Sequence, residues 1–386
     1  MPGVFSPDPL EPLALVLPPA GIRNRSPKKT LLTPRRRLGY DSAIMTAISR
    51  RPRSATVRLE DVARRAGVSP ITASRALHGG PPVAKATRER VLAAATKLGY
   101  VPNLLARGLV HNRTSTVGVV IVELANPFFA PMVSAAEAVA AKRGFLVVIG
   151  ESARDEAAER QYVDRFQQLR IGGLIVTPAT RKVDHLALAR AAGTPVVVMS
   201  RRWQDGDYVT ADNAAGGRLV ARHLLSRGHR RVGLVTHDCP PDTSFQDRLQ
   251  SFRRVLASAG VSVPARWDFR TKASDLENGV EAADTILALA DRPTAIFAIT
   301  DRIAMGLIHR LLERGVRVPE DIAVVGYDDI PFAACNRIPL TTVRIPVRQV
   351  GELAAEVLLD RMGGATPGGH RQMLLAPELV IRASSP

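Results

Sequence analysis

Small and apolar residues recur at helical spacing from Leu59 to about Leu109, after which short apolar runs alternate with longer amphipathic segments. In the first stretch Val62, Ala63, Ala66, Val68, Ala73 and Leu77 are placed to close a small core between two helices. Gly67 supplies the turn between them and Ser69 suits a helix N-cap. Pro70 falls at the first helical position, where its missing N–H costs nothing. Further breaks at residues 79–82 and at Gly99 bound a third helix, so residues 57–101 read as a three-helix unit with a helix-turn-helix at its start.

From residue 117 the apolar runs 117–122, 145–149, 174–177 and 196–199 alternate with helical patterns at 131–143 and 156–170. A second set follows, with helical patterns at 214–227, 245–259, 275–289 and 303–314 and strands at 232–235, 295–299 and 323–327. Alternation on this scale predicts parallel sheets with crossover helices, here in two successive α/β halves. Ligands in such sheets sit outside the carboxyl ends of the strands, and two facing halves make a cleft. The expected core spans residues 117–386, with one half at about 117–211 and 346–367 and the other at about 212–345 and 368–386. Residues 102–116 form the connection. Residues 1–56 are rich in Pro, Arg and Ser without apolar periodicity, and read as a disordered basic extension for which Met45 is an alternative start.

Charge separates the two parts. The 386 residues carry a formal net charge of +17, of which +7 lies before residue 58 and another +7 between residues 58 and 116, leaving +3 for the rest. One end is therefore suited to phosphates. Cys239 and Cys335 are the only cysteines, too few for a disulfide framework or a thiolate zinc site, which fits a reducing cytosol. No apolar run has the length of a membrane span. There is no P-loop, nucleophile elbow, dinucleotide glycine fingerprint or metal-ligand cluster, so neither an enzyme nor a cofactor is expected.

The segments DVARRAGVS (61–69), TASRAL (72–77), TRERV (87–91) and LGYVPNLLARGL (98–109) resemble the headpiece of the lactose-repressor (LacI/GalR) family. The core adds Asn126-Pro127-Phe128-Phe129, Asp212-Asn213, the 248–252 segment, Thr300-Asp301 and Val325-Gly326-Tyr327-Asp328-Asp329. The resemblance implies an all-α headpiece followed by a two-subdomain α/β core like that of periplasmic binding proteins. It implies a second helix in the major groove, with Pro70, Ile71, Thr72, Ser74 and Arg75 facing the bases. Arg75 suits bidentate contact to a guanine edge, while Pro70 and Ile71 offer only apolar contact. His78, where relatives usually have Asn, suits a backbone or phosphate contact, and Ala84, where Ser is common, leaves the third helix with a weaker cap. The resemblance adds Asn103, Ala106, Arg107 and Leu109 to the DNA-binding set through a hinge that it implies folds on operator, where the residues alone read as an ordinary linker. There Ala106 allows close approach, Arg107 reaches the minor-groove floor or a phosphate, and Leu109 wedges between base steps.

For the core the resemblance implies an effector held by Phe128, Phe129, Arg201, Asp212, Arg248 and Asp301. Each has a plainer reading beside it: Phe129 as core, Arg248 and Asp301 as a structural ion pair, Asp212 as a helix cap. Ser200 and Ile345 stand where relatives often carry Asp and Gln, which departs from a standard hexose pocket. The expected function is a transcriptional regulator, a repressor, modulated by a small polar effector. Its expected partners are a near-palindromic double-stranded operator and a second copy of itself, as a homodimer or tetramer, in the cytoplasm at the nucleoid and not at a membrane. Two alternatives stay open: a regulator with a degenerate cleft controlled by a protein partner, and a small-molecule binding protein without a regulatory role.

Overall fold

In the computed structural model, which describes residues 57–78, 83–101, 115–237, 243–364 and 369–386, the chain divides into two units between residues 102 and 103. The first holds helices α1 (Leu59–Ala66), α2 (Pro70–His78) and α3 (Lys85–Leu98). Asp61 caps α1 by accepting from Arg58 N at 3.0 Å, and Gly67 turns the chain in the left-handed region (φ 64°). Ser69 accepts from Thr72 N at 3.2 Å, as an N-cap does. Ala84 gives α3 no side-chain cap, as its missing hydroxyl requires. The core is built almost wholly of small side chains: Val62, Ala63, Ala66, Ala73, Ala76, Val91, Ala94 and Ala95 are buried, with Val68 and Leu77 packed against them. Small residues let three short helices approach closely enough to exclude water.

The second unit contains two parallel sheets. The first is ordered β2 (Leu146–Glu151), β1 (Thr116–Ile121), β3 (Gly173–Val176), β4 (Val196–Met199), β5 (Asp207–Ala211) and β11 (Gln372–Leu375). The second is ordered β7 (Asp268–Thr271), β6 (Val232–His237), β8 (Ala295–Ala298) and β9 (Ala323–Val325). All neighbouring strands in both sheets run parallel. Strands β3, β4 and β8 are buried at every position, which is why they read as unbroken apolar runs rather than alternations.

Helices cover both faces. On the first sheet α4 (Ala130–Lys142) and α11 (Val347–Met362) pack one side around Met132, Val350 and Leu358. The other side takes α5 (Glu156–Gln168) and α6 (Asp184–Ala191) around Phe166, Leu186 and Trp203. On the second sheet α7 (Asn213–Ser226) and α8 (Thr243–Ser258) bury Leu224, Phe252 and Leu256, while α9 (Leu276–Leu287) and α10 (Asp301–Glu313) bury Ile286 and Leu307 on the opposite face.

The boundary expected at residue 368 moves. β11 pairs with β5 in the first sheet, Gln372 opposite Tyr208, so 369–375 belongs to the first half. Only β12 (Glu378–Val380) and the tail join the second half, through an antiparallel pair with β10 (Thr342–Arg344) and a bond from Ser384 Oγ to Val324 O at 2.6 Å. The open edge of β5 offers a ladder partner to whichever strand returns after α11, a choice that local sequence does not encode.

Candidate functional site

Strand order in each sheet reverses once, between β1 and β3 in the first and between β6 and β8 in the second. Crevices open at the carboxyl ends of strands at such points. A cavity of about 70 Å³ lies there, and its walls are loops leaving strands: Asn126 and Phe128 after β1, Arg154 after β2, Thr177 after β3, Ser200 and Arg201 after β4, Ser274 after β7, Thr300 after β8 and Asp328 after β9. Arg154, Ser200 and Asp328 hold left-handed backbone (φ 63°, 69° and 120°). Non-glycine residues adopt it at a cost, on the order of 1–3 kcal/mol each, which surrounding structure must sustain.

Arg248, on α8, is 4% exposed and organises the second-half wall. Its guanidinium lies 3.3 Å from the Tyr327 ring centroid and 5.0 Å from that of Phe245. It donates to Asn213 Oδ1 at 2.9 Å and to the carbonyl of Ile299, and Asp328 Oδ1 stands 3.9 Å away. Tyr327 also donates to Asn213 Oδ1, at 3.3 Å, and burial pushes its hydroxyl up to about 12. Two glycines make this stack possible. A Cβ on Gly216 would strike the Tyr327 hydroxyl, and one on Gly217 would strike the Arg248 carbonyl. Burial also lifts the Asp328 carboxyl well above the ordinary carboxylate range, with Arg248 opposing. Arg248 and Thr177 line the cavity, and among the described residues Arg248 Nε and Thr177 Oγ1 are buried without a hydrogen-bond partner. Orphaned groups of this kind cost about 1–3 kcal/mol each until something accepts from them or donates to them.

Phe128 and Phe129 meet edge to face, ring centroids 5.1 Å apart. Both line the cavity; Phe129 is also part of the first-half core, and Phe128 packs against the cores of both halves. Polar bonds cross between the halves around the cavity. Arg302 donates to Glu123 Oε1 at 2.6 Å, Ser244 Oγ to Ser200 O at 2.9 Å, and Arg202 pairs with Asp247 at 3.2 Å. Burial would raise the Glu123 carboxyl, but hydrogen bonds from Arg302 and Arg154 hold it below its ordinary value.

Of the six residues expected at an effector, Phe128, Phe129, Arg201 and Arg248 line the cavity and Asp212 and Asp301 do not. Asp212 caps α7, accepting from Ala215 N at 2.8 Å, with Arg218 3.6 Å away. Asp301 is fully buried behind the wall, where its carboxylate accepts from the Thr342 hydroxyl and, at 2.8 Å, from Ile330 N. Successive helical residues project about 100° apart, so Thr300, the N-cap of α10, reaches the cavity while Asp301 points into protein. The plainer alternative, an ion pair of Arg248 with Asp301, is not formed; the carboxylate near Arg248 is that of Asp328, at 3.9 Å. Asn213, Thr177, Arg154 and Asp328 received no individual role from sequence. Each lies just beyond the end of a strand, and that position was the available signal.

On the headpiece, Ile71 is 65% exposed, Pro70 and Arg75 are exposed, and Thr72 and Ser74 are half-buried on the same helix. Ala73 is buried and Leu77 packs on the core, so α2 turns one face inward and leaves the other open. The Thr72 hydroxyl is bonded to Ser69 at 2.9 Å. His78 is the last residue of α2. Asn103, Ala106, Arg107 and Leu109 lie outside the described residues.

Residues 58–103 match the lacI family of bacterial regulatory proteins, and residues 221–385 match the periplasmic binding protein-like domain. The chain is 36% identical over 335 residues to the HTH-type transcriptional repressor PurR of Photobacterium profundum, covering 84% of this chain and 98% of that one. Among solved structures it is similar to the Lac repressor dimer bound to operator and the anti-inducer ONPF, at 28% identity and a TM-score of 0.76, covering 85% of this chain and 99% of that one. It is likewise similar to a complex of the transcriptional regulator CelR with cellobiose, at 31% identity and a TM-score of 0.65, again over 85% and 99% of the two chains. With its helix-turn-helix headpiece and its two-halved α/β core, the chain belongs to the lacI family of bacterial regulatory proteins.

Proposed function

We propose that this protein is a transcriptional repressor that binds a near-palindromic operator as a homodimer in the cytoplasm, at the nucleoid, and whose operator affinity is set by a small polar molecule held in the core cavity. The observation that carries the reading is that Arg248 of one half and Thr177 of the other, whose Nε and Oγ1 are buried without a partner among the described residues, line one cavity walled by both halves. A molecule with hydroxyl or carbonyl oxygens satisfies these groups only when both halves contact it. Binding therefore biases the relative position of the halves, and by linkage the operator must change effector affinity by the same factor. Arg75 and the apolar pair Pro70 and Ile71 supply base contacts, with Arg201 and Arg248 as the effector's polar contacts and Phe128 and Phe129 as its apolar walls.

The test begins with selection of bound sequences from random duplex DNA, followed by a thermal-shift screen of small metabolites and a titration of operator affinity with each hit. Enrichment of a two-fold-symmetric site, together with a metabolite that changes affinity for it, is expected. Failure to enrich any sequence would overturn the reading. An operator without a responding small molecule would transfer control of the cleft to a protein partner.

A further inference from the structure

The other end of the first sheet carries a feature that neither the headpiece nor the cavity uses. Where strands β1, β3 and β4 begin and helices α4, α5, α6 and α11 end, a groove of about 800 Å³ is lined by Arg143, Arg170 and Arg361 together with Gly172, Thr194 and Pro195. Lys142 and Arg190 stand at the last turns of α4 and α6, and Arg371 at the entry to β11. Two acids answer these six cations. Asp360 takes Arg143 at 3.0 Å and Arg371 at 2.9 Å, and Asp207 takes Arg361 at 2.8 Å. The surplus of four positive charges exceeds the +3 that residues 117–386 carry in total, so the remainder of the core is close to neutral.

Cations near helix C-termini complement the carbonyl ends, which accounts for one per helix. Arg170 goes further. Three helices reverse direction at this rim through a left-handed residue, and at α4 and α6 that residue is glycine (Gly144, φ 76°; Gly193, φ 89°). At α5 it is Arg170 (φ 52°), exposed and with no side-chain partner among the described residues. A cation thus occupies a backbone position that favours glycine. Lys142 is likewise exposed and unpaired among the described residues.

The rim lies where the chain enters the core, since Gly172 of the groove donates to Thr116 O at 2.9 Å and Leu146 N donates to Ser115 O at 2.8 Å. Fourteen residues separate Val101, the last described residue of the headpiece, from residue 116, a tether of at most about 50 Å when fully extended. We infer that this basic rim is a second DNA-contacting surface, which binds backbone phosphates flanking the operator without reading sequence. The inference rests on the operator-binding reading above. Patches of this kind act through release of condensed counterions, each neutralised phosphate adding about 0.9 to the slope of log affinity against log salt.

The test compares two duplexes, one trimmed to the selected site and one extended by about 15 base pairs on each side, with the full-length protein. The double variant Lys142→Ala/Arg170→Ala, on two residues whose side chains make no bond among the described residues, is set against Arg254→Ala, an exposed arginine on the second half. Wild type should bind the long duplex several-fold more tightly than the short one. The double variant should lose that advantage and show a salt slope shallower by about 2 on the long duplex, while binding the short one like wild type. Arg254→Ala should keep the advantage. Equal affinity of wild type for both duplexes, or an equal loss on both in the double variant, would overturn the inference. Absence of any site-specific binding would instead defeat the operator-binding reading itself.

Discussion

The guanidinium carbon of Arg248 lies over Tyr327, 3.3 Å from the ring centroid, and both side chains bond the same oxygen, Asn213 Oδ1. One arginine of the cavity wall is thereby held in place, with its Nε left unpartnered among the described residues. A desolvated cation–π contact is worth about 2 kcal/mol, comparable to the rotamer entropy lost in fixing the arginine side chain, which the hydrogen bonds to Asn213 and Ile299 then exceed.

Replacing Arg248 with lysine should therefore remove effector response, because an ammonium can neither stack as a plane nor reach both Asn213 and the Ile299 carbonyl. Operator affinity measured without effector should stay within about twofold of wild type. Tyr327→Phe keeps the ring and loses one hydrogen bond, so its effector affinity should fall only about 3–10-fold, equivalent to roughly 0.5–1.5 kcal/mol. Calorimetric titration of the effector found by screening distinguishes the two; equal losses would show that the ring stack does not orient Arg248.

Arg75 is exposed on the open face of α2. Arg75→Ala should lower the ratio of operator to random-duplex affinity by about 1–3 kcal/mol and leave headpiece stability unchanged. Competition binding at fixed salt reads the ratio. A variant that weakens both duplexes equally would reassign Arg75 to phosphate contact.

Asp301 now carries a stability prediction in place of an effector one. Burial raises its carboxyl from 3.8 to about 6, so the folded state holds this proton more tightly than the unfolded chain does. Its contribution is fully present below about pH 4 and is lost as pH rises through 6, by an amount on the order of 3 kcal/mol. Asp301→Asn should flatten this part of the profile in thermal melts between pH 4 and 7. An unaltered profile would place the titration elsewhere. Asp301→Ala leaves Thr342 and Ile330 without their acceptor and should destabilise at every pH, in contrast to the loss of effector response alone that a ligand contact would produce.

Glu123 accepts from Arg302 across the cleft, and the two side chains are each 23% exposed. Glu123→Gln should loosen the approach of the halves and weaken effector binding by no more than about fivefold, given solvent screening. The effect should shrink above about 0.5 M salt, where the Debye length falls below 5 Å. Titrations at two ionic strengths test this; a loss independent of salt would assign Glu123 a contact with the effector rather than a latch.

The alternation of apolar runs and amphipathic stretches was enough to place the strands at 117–122, 174–177 and 196–199 and most crossover helices within a few residues. The headpiece was legible because its turn, cap and core positions lie within twenty residues of one another. The site was legible only in part. Arg248 and the two phenylalanines stand where the motifs suggested, but of the neighbours Thr300 and Asp301 only the first reaches the cavity. Asp328 entered the cavity through a left-handed turn that no periodicity announces.

Helix and strand, the turn at Gly67, the alanine-rich headpiece core and the division of charge are properties of short segments, set by side-chain spacing and backbone preference, and for these the amino-acid order was sufficient. Tertiary structure decided which carboxylate faces Arg248, that β11 completes the first sheet, and that cations scattered from Lys142 to Arg371 share one rim. Those outcomes depend on contacts between residues up to more than 200 positions apart, and such contacts are fixed by packing two sheets and their helices together rather than by any local preference.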